Sequence, residues 1–189
     1  MFYLDYKKNM LLTYQNCKEK YGSQYEITKA IKAEEIFKLE KGIYSTQPHE
    51  PEIAIIAVKY PDAIFTLNSA FYYHNLTDTI PDYYYLATEK NAYQITDKRV
   101  VQKYENSKAL DLGVITMEQD GAQIKIYNKE RMLLELIRNK NNFSFDYYKE
   151  ILNNYRKIIH ELNIQDIQDY ADYLPKNKMI METLRLEVF

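Results

Sequence analysis

A chain of 189 residues, 46% apolar and 28% charged, holds enough hydrophobic material for one domain or two small ones and is too apolar to be disordered throughout. No run of 18 apolar residues occurs, which excludes a membrane-spanning helix, and a single cysteine, Cys17, excludes an intrachain disulfide. The net charge of −2 is unevenly spread, because residues 1–45 hold 8 Lys against 6 acidic side chains, so a mildly basic head precedes an acidic body.

The first elements read as a pair of helices. Met10, Tyr14, Cys17 and Tyr21 recur at helical spacing over 3–21, a stretch that reads as one long helix or two. Gly22 stops it, and Ser23 caps a second helix over 24–33. Ile27, Ala30 and Ile31 form the buried face of that helix, and Tyr25, Thr28, Lys29 and Lys32 form its outer face. Ile36-Phe37-Lys38-Leu39 and Ile43-Tyr44-Ser45 flank a turn containing Gly42, which predicts a β-hairpin. Helix, turn, helix and hairpin is the order of a winged helix, whose second helix enters the major groove.

Behind a linker over 46–50, Pro51 opens a helix with Ile53, Ile56, Ala57 and Tyr60 on its apolar stripe. Short strands are expected at 63–66, 83–88 and near 99–101, with a helix over 70–75 between the first two. Asp120-Gly121 between Leu112–Gln119 and Ala122–Tyr127 is a strong two-residue hairpin signal. The remainder reads as helices capped by Asn128 and Ser144, then two more marked by Ile164 to Leu174 and by Ile180 to Val188. The expected class is α+β: a winged helix-turn-helix over 1–46, then a mixed domain over 47–189 ending in several helices.

In a DNA-binding head, Lys29, Lys32, Lys38 and Lys41 would neutralise phosphates. Ser23, Gln24 and Tyr25 lie at a helix N-terminus whose N–H groups favour phosphate. Gln24 or Thr28 could reach base edges, since Gln pairs adenine through two hydrogen bonds. The same residues would equally make the solvated face of a small amphipathic helix.

Ile36 to Ser45 resembles the wing of the AbiEi family, in which a Gly-x-Tyr element, here Gly42-Ile43-Tyr44, closes a winged helix-turn-helix. The proline-led helix from Pro51 to Tyr60 is similar as well. So are Ser69-Ala70 and His74-Asn75-Leu76-Thr77-Asp78, continued by Ile80-Pro81. A hairpin strand Ile124-Lys125-Ile126-Tyr127 followed by Glu130-Arg131-Met132-Leu133-Leu134 completes the resemblance, which covers roughly residues 20–160. These proteins are antitoxins of type IV toxin–antitoxin and phage-abortive-infection systems. The resemblance implies that the N-terminal domain binds promoter DNA of its own operon and represses it. It also implies that the C-terminal domain counters a nucleotidyltransferase-type toxin, without need of a stable complex.

Other chemistry reads weakly. Asp111, Asp120, Gln123 and Lys125 imitate part of a metal-dependent nuclease site, although alternating polar residues also belong to any half-exposed strand. His49, His74 and His160 lack ligand spacing. Cys17 lies on an apolar stripe, where a buried thiol is expected, and 4 Gly could hardly build a phosphate loop. No cofactor, metal or catalytic residue is expected. Residues 1–8 lack an apolar run of signal-peptide length, so a cytoplasmic protein without membrane contact is expected. The alternatives are an interaction module that binds no DNA and, behind it, a metal-dependent nuclease-like protein.

Overall fold

A computed structural model describes residues 11–188. The chain is of mixed α+β class, with two sheets among the described residues. It divides into two compact units: the chain up to Pro61 with Glu118–Gln123, and the rest.

In the first unit, β1 (Leu11–Thr13), α1 (Tyr14–Tyr21), α2 (Gln24–Lys32), β2 (Phe37–Glu40), β3 (Ile43–Ser45) and α3 (Glu52–Lys59) follow in turn. The helical stretch expected over 3–21 is shorter in the structure. Leu11–Thr13 pairs antiparallel with Ile43–Ser45 instead, and Met10 of the predicted stripe lies outside the described residues. Thr13 ends the strand by capping α1: its hydroxyl accepts from Asn16 N–H, and Asn16 Oδ1 accepts in turn from Thr13 N–H. Of the predicted stripe, Cys17 is buried but Tyr14 is exposed. The sheet order is β1-β3-β2. Gly42, at φ 81°, supplies the left-handed residue of the β2–β3 turn.

The core of this unit joins Leu12, Cys17, Ile27, Ala30, Ile36 and Tyr44. Cys17, Ile27, Ala30 and Ile36 come from α1, α2 and the residue just before β2, but Leu12 and Tyr44 meet only because β1 pairs with β3. α3 packs against β1 and β3, and Lys59 forms an ion pair with Glu40 at 3.1 Å. α3 thus belongs with the first unit.

The second unit carries β4 (Ile64–Phe65), α4 (Leu67–Tyr73), β5 (Tyr84–Glu89), β6 (Val100–Glu105), the short α5 (Ser107–Leu110) and, apart from the hairpin tip Glu118–Gln123 counted with the first unit, β7 (Val114–Gln119) and β8 (Ala122–Tyr127). The sheet order is β6-β5-β4-β8-β7. β5 and β6 run parallel although only residues 90–99 join them. Gln102 closes that loop: it donates to the Thr88 hydroxyl and the Tyr93 carbonyl and accepts from Ile95 N–H. The Asp120-Gly121 turn has both residues at positive φ, 48° and 77°, as a hairpin turn matched to strand twist requires.

The helices after the sheet are α6 (Lys129–Arg138), α7 (Phe145–Lys157), α8 (Ile164–Tyr173) and α9 (Asn177–Thr183), with a π-helical turn over Leu184–Val188. Asn128 and Ser144 cap α6 and α7 as expected, accepting from Arg131 N–H and Tyr147 N–H. Every residue from Arg131 to Ile137 is buried, so α6 is the central helix of this unit, against which α4, α7, α8 and α9 pack. No helix among the described residues is long and apolar enough to cross a membrane.

Candidate nucleic-acid interface

All eight residues expected to meet DNA are exposed: Ser23, Gln24, Tyr25, Thr28, Lys29 and Lys32 on α2 and its cap, Lys38 on β2, and Lys41 in the β2–β3 turn. α2 presents them because Ile27 and Ala30 anchor its opposite face in the core, and helical spacing then sends positions 25, 28, 29 and 32 outward together. Ser23 fixes where the helix begins; its Oγ accepts from Glu26 N–H at 3.3 Å, leaving other first-turn N–H groups unpaired within the helix.

The structure modifies two of the expected roles. The Thr28 hydroxyl donates to the Gln24 carbonyl at 2.8 Å, so its hydrogen is not free to donate to a base edge. Lys29 sits 3.7 Å from Glu26 on an exposed helix face, a pair worth a few tenths of a kcal/mol, roughly, that phosphate can displace. No carboxylate among the described residues pairs with Lys32, Lys38 or Lys41. Cys17 is wholly buried, and burial pushes its thiol up from the ordinary value despite the opposing charge of Lys20. It is therefore a core residue and not a nucleophile.

In the second unit, polar chemistry concentrates around α6. Arg131 is fully buried. Its guanidinium donates to Glu105 at 3.2 Å, to Glu135 at 3.0 Å and to the Ala109 carbonyl at 2.9 Å, and lies 4.7 Å from the centre of the Tyr127 ring. Arg138 bridges the same two carboxylates. Burial acts to raise the Glu105 carboxyl, but Arg138, the Asn106 N–H and Arg131 outweigh it and hold it below its ordinary value. Two guanidinium groups thus balance two carboxylates beside a cavity of about 130 Å³ whose wall includes Thr66, Lys103 and Asn139. This cluster ties the edge strand β6 to the central helix. Arg131, Glu135 and Arg138 share one helical face, which is visible in the spacing, but their partner Glu105 is brought to them only by the fold.

His74 is buried, and its Nε2–H donates to the Tyr127 carbonyl at 2.6 Å; burial lowers its pKa. This is the satisfied core histidine that its isolation in sequence suggests. Gln123 donates to Glu118 across the hairpin at 3.2 Å, and Lys125 is exposed on β8. No group of three His, Cys, Asp or Glu side chains placed to hold a metal occurs among the described residues.

No protein-family model matches the chain, and no curated protein sequence matches it. Among solved structures, it is similar to the crystal structure of the RV2827C protein from Mycobacterium tuberculosis. The TM-score is 0.57 at 12% sequence identity, over 93% of this chain and 71% of that one. At that identity the likeness concerns the fold alone.

Proposed function

We propose that this protein is an AbiEi-type antitoxin, a repressor that binds its own promoter through a winged helix in the first unit and counters a nucleotidyltransferase-type toxin through the second. The observation that carries the DNA-binding half is the arrangement β1-α1-α2-β2-β3 with sheet order β1-β3-β2. Ile27 and Ala30 are buried while the opposite face of α2 is exposed, and in a winged helix such a helix would enter the major groove with the β2–β3 hairpin as its wing. Lys29 and Lys32 on α2, with Lys38 and Lys41 on the wing, supply phosphate contacts on both elements. The antitoxin half rests on the ordered series of family-like segments from Ile36 to Leu134, and the protein acts in the cytoplasm without a cofactor.

The test is a gel shift on the protein's own upstream DNA against unrelated competitor, comparing wild type with Lys29→Glu/Lys32→Glu. Four phosphate contacts predict a slope of about −3.6 in log affinity against log salt, hence about a 10²-fold loss between 50 and 200 mM. A specific shift with that dependence, abolished in the folded double variant, is expected. No shift at low salt, or one the double variant retains, overturns the reading and favours an interaction module without DNA binding.

A further inference from the structure

Resting on the DNA-binding reading, a finer property follows from the surface of α2. Tyr25 is 75% exposed, in a helix whose opposite face is firmly anchored. Thr28, one turn on, is its neighbour on the same face. Because the Thr28 hydroxyl donates its hydrogen to the Gln24 carbonyl, the side chain has no hydrogen left to donate outward; its oxygen can still accept, and its methyl is its apolar contact group. Lys29 lies 3.7 Å from Glu26 at the side of this face, in an exposed pair that leaves it available to a phosphate. At the middle of the face stand an exposed aromatic ring and a methyl group, and no carboxylate among the described residues pairs with Lys32, Lys38 or Lys41.

In the major groove, three of the four bases offer only hydrogen-bonding groups, while thymine alone projects a methyl at C5. We propose that Tyr25 and Thr28 form an apolar reading head for thymine methyl groups, so that α2 selects A·T pairs by packing rather than by hydrogen bonding. Gln24, at the edge of this face, is left free to pair with an adenine by its amide. The lysines fix register on the backbone and carry no base preference of their own.

Uracil isolates the claim, since it differs from thymine in DNA only by that methyl. Wild-type protein is used to select sites from a random 20-base-pair duplex pool; the enriched duplex is then remade with uracil in place of thymine. Wild type should bind the uracil duplex about fourfold more weakly for each methyl contacted, the ratio expected from burying one methyl-sized group. Tyr25→Ala/Thr28→Ser, which keeps the Thr28-type hydroxyl and removes both apolar groups, should bind the two duplexes equally. Thr28→Val, which keeps an outward methyl, should still discriminate. Circular dichroism confirms that each variant folds. Equal wild-type affinity for both duplexes, or full discrimination by the double variant, overturns the proposal while leaving DNA binding intact. No enrichment of any duplex at low salt overturns the DNA-binding reading and this one with it.

Discussion

Replacing Arg131 by Met leaves the buried pocket its volume but removes its central charge. The guanidinium is fully buried and bonds Glu105, Glu135 and the Ala109 carbonyl. Its loss leaves two buried carboxylates sharing Arg138 alone. Breaking a buried ion pair by deleting one partner costs about 3–5 kcal/mol, because the remaining charge stays desolvated. The orphaned Ala109 carbonyl adds about 1–3 kcal/mol of desolvation, partly within the same figure. Arg131→Met should therefore destabilise the second unit by at least about 3 kcal/mol. Removing more should hurt less: in Arg131→Met/Glu135→Met, one arginine again faces one glutamate. The double variant should recover about 1–2 kcal/mol relative to the single one. Urea unfolding by far-UV circular dichroism gives the difference, and amide exchange of α6 assigns it to this unit. A loss below about 1 kcal/mol for Arg131→Met, or a double variant less stable than the single, would refute the view that charge balance rather than packing governs the cluster.

Two further outcomes follow from the same structure. Burial lowers the His74 pKa, so the unfolded chain binds the extra proton first; stability should be intact above about pH 6.5 and fall as pH drops below that value toward the lowered folded-state one. His74→Gln should flatten the difference between pH 7.5 and pH 5.5 in denaturant titrations; an unchanged difference would assign the effect elsewhere. Gly113 and Gly121 both have positive φ, 75° and 77°, but a Cβ on Gly113 would meet Asn128 Oδ1 at 2.6 Å and Arg131 Cβ at 2.7 Å, whereas Gly121 faces open space. Gly113→Ala should cost about 2–4 kcal/mol and Gly121→Ala about 1 kcal/mol, and equal melting temperatures for the two would contradict the crowding.

Much of the local structure was legible because local chemistry decided it. Ser23, Asn128 and Ser144 cap helices by bonding the N–H group three residues on. Asp120-Gly121 forms its turn because both residues tolerate positive φ. The outward face of α2 follows from the spacing of Ile27 and Ala30 alone. These are interactions within a few residues, which sequence pattern captures directly.

What sequence could not decide were pairings across distance. Leu11–Thr13 has no strand signature of its own; it is a strand because Ile43–Ser45 offers a free edge, so the helical pattern is overruled at these three residues. The parallel contact of β5 with β6 departs from the long crossover such pairs usually need. α6 shows the limit most clearly. Arg131, Glu135 and Arg138 would normally mark a solvent face, opposite the apolar Met132, Leu133 and Leu136, yet all but Arg138 are buried. Only the tertiary structure surrounds the helix on all sides and brings Glu105 from β6 to the arginines. The sequence determined which segments could be helices, turns and caps, since those depend on near neighbours. The fold alone decided which charges became buried partners, since a charge is stable inside only where its counterion also arrives.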